Sequence, residues 1–120
     1  MRRAAVVSKL GKKLYLLIFE LTDKAGDRSV LREEHFAYVT ALEKRGVLFA
    51  AGPFVDEAGA SQGGGMFVVR AASQEEAAEI ARREPYIRDG YRRFKVQAWR
   101  VSEGTFSVRI NFSDGTYRFD

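Results

Sequence analysis

Residues 66–85 read MFVVRAASQEEAAEIARREP, and the fold turns on how this stretch is read. Met66 to Ala71 is a short apolar run rich in β-formers, which predicts a strand. Ser73 follows as an N-cap with Glu76 three residues on, the capping-box spacing, so a helix opens there. That helix must stop near Glu84, because Pro85 disfavours the α region for the residue before it. Ala77, Ala81 and Glu84 fall on one face of it. A strand feeding a helix is half of a βαβ unit, and the flanking sequence supplies the remainder.

Downstream, Pro85 to Gly90 reads as a turn, and Phe94 to Val101 (FKVQAWRV) alternates as a strand. Upstream, Lys13 to Leu21 (KLYLLIFEL) is almost continuously apolar, the pattern of a strand central in a sheet or buried on both faces. A turn cluster of Asp23, Gly26 and Asp27 leads to a helix from an N-cap at Ser29 to Arg45, with Gly46 as its C′ stop. Leu31, His35, Tyr38, Val39 and Leu42 form one stripe of that helix, with Phe36 at its margin. Val47 to Phe54 is a second strand bearing Gly52-Pro53, followed by a small-residue loop over Asp56 to Gly65.

The order βαββαβ predicts an α+β, ferredoxin-like fold: an antiparallel four-stranded sheet with both helices on one face. The open face, judged from the apolar content of Leu14 to Phe19 and of Phe94, Val96 and Ala98, is expected to be covered by a second copy in a homodimer. Beyond this core, Thr105 to Phe112 alternates strictly and Asp114-Gly115 signals a hairpin. A two-residue turn there would set Phe112 opposite Tyr117 and Ile110 opposite Phe119. The chain thus divides into a basic tail over 1–12, a core over 13–101 and an appended hairpin over 102–120.

Composition narrows the chemistry. With 120 residues, 46% hydrophobic and 30% charged, there is material for one soluble core. The absence of Cys excludes disulfides, a thiolate nucleophile, iron–sulfur clusters and cysteine-ligated zinc, and a single His excludes a poly-imidazole metal site within one chain. No metal or other cofactor is therefore expected. The longest apolar run, Leu14 to Phe19, is far short of the roughly 20 residues that span a bilayer, and the N-terminus lacks a signal-peptide core. A cytoplasmic protein with no membrane partner is expected.

The net charge is +4, and the excess sits at the start: Arg2, Arg3, Lys9, Lys12 and Lys13 precede the first acid, Glu20. Such a segment is a solvated tail or an arm for nucleic acid or anionic lipid. A second cluster, Arg82, Arg83, Arg88, Arg92, Arg93 and Lys95, either guides an anion or is solvated charge balanced by Glu75, Glu76 and Glu79. A nucleic-acid partner is not expected. The RNA-binding version of this topology stacks bases on strand-three aromatics, and here Gly65 and Arg70 stand where the outer rings flanking Phe67-Val68 belong.

His35 is the leading candidate for chemistry, since imidazole transfers protons near neutral pH. The alternative is a structural His held by one hydrogen bond. Glu84, on the inner face of the second helix, can reach it in this fold and would orient the ring as an acid/base pair requires, with Asp89 as a rival partner. Gly52-Pro53 and Gly63-Gly64-Gly65 let backbone approach a ligand closely. The triplet leads into a strand, unlike a phosphate loop, so it reads as a flexible hairpin loop.

Taken together, His35-Phe36-Ala37-Tyr38-Val39, Leu42, Gly46, Ala51-Gly52-Pro53-Phe54, Glu75-Glu76-Ala77, Glu84-Pro85-Tyr86 and Gly90 resemble the YciI-like (YCII-related) family. The resemblance spans roughly Tyr15 to Trp99. It implies a ferredoxin-like protomer in a dimeric α+β barrel, and an acid/base pair made by a His on the first helix and an Asp in an Asp-Pro-Tyr turn. These positions are His35 and, with one extra methylene, Glu84. The family includes a dehydrochlorinase of a chlorinated hydroxyquinol. The expectation is a cofactor-free enzyme performing elimination, isomerisation or lactone-type chemistry on a small anionic or phenolic molecule. His35 and Glu84 would be catalytic, and Gly52, Pro53, Tyr86, Arg88 and Arg92 would contact the substrate. A non-catalytic metabolite-binding or oligomeric assembly module is the other reading.

Overall fold

A computed structural model describes residues 11–120. Its central strand is β1 (Lys12–Leu21), in a four-stranded sheet whose other members are β2 (Leu48–Val55), β3 (Ser61–Val69) and β4 (Arg92–Val101), in the order β2-β3-β1-β4. β3 is antiparallel to both β1 and β2, with Leu17 opposite Phe67 and Ala51 opposite Phe67 on the two sides. Helices α1 (Arg32–Lys44) and α2 (Gln74–Arg82) complete the βαββαβ order. This is the ferredoxin-like α+β fold. Lys13–Arg100 form one compact unit, and Val101–Asp120 belong to a second.

Alternation along β1 sends Tyr15, Leu17 and Phe19 to the helix side, where they meet Phe67 and Val69 of β3, Leu42 of α1, and Ala77 and Ala81 of α2. Phe19 and Phe67 meet edge to face at 4.8 Å. Each large apolar side chain buried here contributes roughly 1.5–3 kcal/mol, and the two alanines let α2 lie close to the sheet. Phe94 and Val96 of β4 also pack against this core. They therefore do not furnish the open face, contrary to the expectation. That face holds the half-buried Leu16, Ile18 and Met66.

Four local expectations need correction. The first helix is not capped by Ser29: the Asp27 carboxylate accepts from the Ser29 N–H at 3.0 Å and caps a 3-10 turn over Arg28–Leu31 that leads into α1. The glycine triplet is not a loop, because β3 begins at Ser61. Gly65 is small for a packing reason: a Cβ there would stand 2.7 Å from the Gly52 carbonyl and 3.2 Å from Pro53 Cα of the paired strand. Pro53 is tolerated because β2 lies at the sheet edge. The turn after α2 closes into a one-turn helix, α3 (Pro85–Arg88). At the other end of α2 the Ser73 cap forms as expected, its hydroxyl accepting from the Glu76 N–H at 3.1 Å.

The fourth correction concerns the hairpin of β5 (Val108–Asn111) and β6 (Thr116–Phe119). Ile110 pairs with Tyr117 and Val108 with Phe119, two residues away from the expected register. The connection takes four residues because Asp114 accepts from the Thr116 N–H and hydroxyl at 3.0 and 2.8 Å, while Gly115, at φ +71°, donates to the Asn111 carbonyl at 2.9 Å. The apolar pairs still share one face, and they are exposed. Residues 1–10, most of the segment read as a basic tail, lie outside the described residues. Among the described residues no helix is long and apolar enough to cross a membrane.

Candidate functional site

His35 projects from the first turn of α1 and meets Glu84, its Nδ1 standing 2.6 Å from Glu84 Oε1. Glu84 is completely buried. It follows α2 instead of lying on its inner face, as the N-cap of α3, with its Oε2 accepting from the Ile87 N–H at 3.0 Å. The local sequence explains this placement: Pro85 at the first helical position lacks an N–H and has φ preset for the helix, and an acidic side chain before it satisfies a free donor of the turn. One carboxylate thus caps a helix with one oxygen and holds the imidazole with the other. Asp89, the rival partner, pairs instead with Arg88 at 2.7 Å.

His35 is largely enclosed, with 16% of its side chain accessible, and aromatic rings surround it: Tyr86 at 5.1 Å, Phe36 at 5.3 Å and Phe67 at 6.2 Å between centroids. It forms part of the wall of a cavity of about 690 Å³, within the size range of small-molecule sites. The 3-10 turn, α1, the glycine-bearing parts of β2 and β3, Tyr86 and the start of β4 complete the wall. With Glu84 as a carboxylate, Nδ1–H donates to it and Nε2 is the basic nitrogen. A ring so held can take a proton from a molecule in the cavity, and the carboxylate stabilises the imidazolium that results.

Of the residues expected to contact a ligand, Gly52, Pro53, Tyr86 and Arg92 line this cavity and Arg88 does not. Arg88 is bound on the surface by Glu34 and Asp89. Other members of its cluster are likewise paired: Arg82 with Glu75 and Glu79, Arg83 with Glu79, and Arg93 with Glu20. Arg92 differs. Its guanidinium stands 4.5 Å from the centroid of Tyr86, and burial pushes it below its ordinary pKa, with Glu84 opposing that effect and Arg28 adding to it. It stays cationic, as guanidinium does throughout the physiological range.

Sequence reasoning missed Arg28 and Arg32, which also line the cavity. For Arg32 the spacing held the signal, since it precedes His35 by three residues on one face of α1, whereas Arg28 sits in the 3-10 turn before the helix. It also missed α3, although an acidic residue before proline marks a helix start. Among the described residues no group of three or more His, Asp or Glu could hold a metal ion.

Comparison with known proteins agrees with the fold. The YCII-related domain matches residues 14–100. The chain is 32% identical over 89 residues to the uncharacterized protein YjpA of Bacillus subtilis (strain 168), an overlap of 74% of this chain and 96% of YjpA. Among solved structures it is similar to 5-chloro-2-hydroxyhydroquinone dehydrochlorinase (TftG) from Burkholderia phenoliruptrix AC1100, in complex with 2,5-dihydroxybenzoquinone. The TM-score is 0.52 at 20% identity, covering 71% of this chain and 92% of that one, a likeness of fold.

Proposed function

Since the chain belongs to the YCII-related family, we propose that it is an acid/base enzyme in which His35 moves a proton on a small anionic or phenolic molecule held in the cavity. The observation that carries this reading is the 2.6 Å contact between His35 and the buried Glu84, on a wall open to a space of ligand size. Glu84 receives Nδ1–H and fixes the ring, so that Nε2 takes a proton from a carbon or hydroxyl of the substrate. The electron pair released then expels a leaving group, or shifts and is reprotonated by the imidazolium at another atom. Elimination, isomerisation and lactone chemistry share this first step. That a fold relative is a dehydrochlorinase, one kind of elimination catalyst, supports the reading.

The half-buried Leu16, Ile18 and Met66 on the sheet face away from the helices support a homodimer formed through that face. Light scattering of the full chain tests it, with Ile18→Lys expected to give monomer.

The acid/base reading is tested by incubating the protein in D₂O with small carboxylates, lactones and hydroxyquinols, following exchange and product by NMR. Wild type should promote deuterium incorporation or conversion, and His35→Asn should lose it while melting at nearly the same temperature. Saturable binding by wild type with neither exchange nor product would overturn the enzyme in favour of a metabolite-binding module.

A further inference from the structure

Arg92 lines the cavity at the start of β4, and its Nε is buried with no hydrogen-bond partner among the described residues. The acid whose charge it feels, Glu84, has its oxygens engaged by His35 and by the Ile87 N–H. Arg28 lines the same cavity from the 3-10 turn and makes no ion pair among the described residues. Its guanidinium lies over Gly63, where a Cβ would stand 3.4 Å from Nη2 and overlap Leu21. Gly63, at φ +92°, thus leaves room for Leu21, with the Arg28 head group beside it in ordinary contact. The one acid of the lining, Asp27, is turned to the Ser29 N–H and hydroxyl. The half-buried Arg92 thus faces the cavity with no direct ion-pair partner among the described residues, which is unfavourable for a partly buried charge, and the exposed Arg28 faces the same space beside it.

We propose that Arg92 and Arg28 form a carboxylate clamp that makes the cavity selective for small organic acids. A guanidinium edge offers two parallel N–H donors, which a carboxylate answers and a single phenolate oxygen does not. A phosphate would bring further charge against a wall that includes Phe19, Phe36 and Phe67. Tyr86 contacts both His35 and Arg92, so an acid clamped at Arg92 lays its carbon skeleton along that ring toward the imidazole. The clamp rests on the acid/base reading for what happens to the bound acid, and on the surroundings of the two arginines for what binds.

The test is titration of the full chain with benzoate, salicylate and their methyl esters, by calorimetry or amide NMR shifts. The acids should bind tighter than the esters by on the order of tenfold or more, as for a charge-assisted hydrogen-bonded pair. Arg92→Gln should abolish that preference, Arg28→Gln should weaken it, and Arg88→Gln should leave it intact. Should Arg92→Gln fail to fold, Arg92→Lys keeps the charge without the paired donors and should lose most of the preference. Esters binding as well as acids, a preference that survives Arg92→Gln, or acids that do not bind at millimolar concentration would each overturn the clamp. The two readings fail separately. A preference dependent on Arg92 with exchange indifferent to His35→Asn removes the acid/base chemistry and keeps the clamp; turnover dependent on His35 with esters as good as acids does the reverse.

Discussion

Arg88 and Arg92 stand on either side of Gly90, four residues apart, and carry the same head group into opposite circumstances. Arg88 is on the exposed surface, saturated by Glu34 from α1 and by its neighbour Asp89. Arg92 is on the cavity wall, stacked on Tyr86, with a buried Nε that no group answers. The surface pairs are internally complete and exposed, where ion pairs add little stability. On the wall, the Glu84 oxygens are engaged by His35 and the Ile87 N–H, so Arg92 feels that charge without a direct bond to it. Charge that is already matched serves the fold, and charge left unmatched at a cavity is available to a ligand.

The largest effect should come from the wall. His35→Asn is expected to reduce exchange or turnover by roughly 10²–10⁴-fold, the usual contribution of a positioned acid/base group, with little change in melting temperature. Next is Glu84→Ala, which leaves the Ile87 N–H and the imidazole Nδ1 unanswered in a buried place; chemical denaturation should show a loss of about 2–4 kcal/mol. Glu84→Gln can still accept from the Ile87 N–H, so it should keep more of the stability than Glu84→Ala while losing activity. Equal stability for the two would show that the cap is not what Glu84 supplies. Gly65→Ala, forcing a Cβ against the Gly52 carbonyl, should cost about 1–3 kcal/mol by the same measurement. A neutral result would mean β2 can move away from β3.

The smallest effect should come from the surface pairs of Arg88, and it depends on pH. Hydrogen bonds from Arg88 hold the Glu34 and Asp89 carboxyls below the usual carboxylate range. Their contribution is thus fully present above the unfolded-state values and fades as the pH falls through the folded ones. Arg88→Gln removes it, so thermal melts of the variant and the wild type should differ slightly near neutrality and converge in acid. A gap that widened in acid would break the assignment of Arg88 to a saturated surface network.

Much of this was legible in sequence because it is local. Strand alternation, the Ser73 cap and the Gly46 stop are each set by a few adjacent residues, and the βαββαβ order follows from them. The joining of His35 to Glu84 was legible too, as both lie on elements that this topology places on one sheet face. The errors arose where two local signals competed. Asp27 and Ser29 can both cap, and Asp27 does so two residues earlier. Asp114-Gly115 can close a two-residue turn, but Thr116 offers Asp114 a backbone and a hydroxyl donor and the loop takes four. Gly63-Gly64-Gly65 looks like a loop in isolation and is a strand in the sheet, because closely paired neighbours leave no room for a Cβ.

The sequence by itself determined the βαββαβ order and most of the helix-side core, and it named His35 with Glu84 as the leading candidates for proton transfer, since periodicity, capping and topology follow from side chains close together along the chain. Only the tertiary structure decided which arginine of the 82–95 cluster faces the cavity, that Arg28 joins it from a turn far away in sequence, and that Glu84 acts as cap and partner at once. Those outcomes depend on which carboxylates lie within reach in space, and charge pairing across elements leaves no periodic trace in the chain.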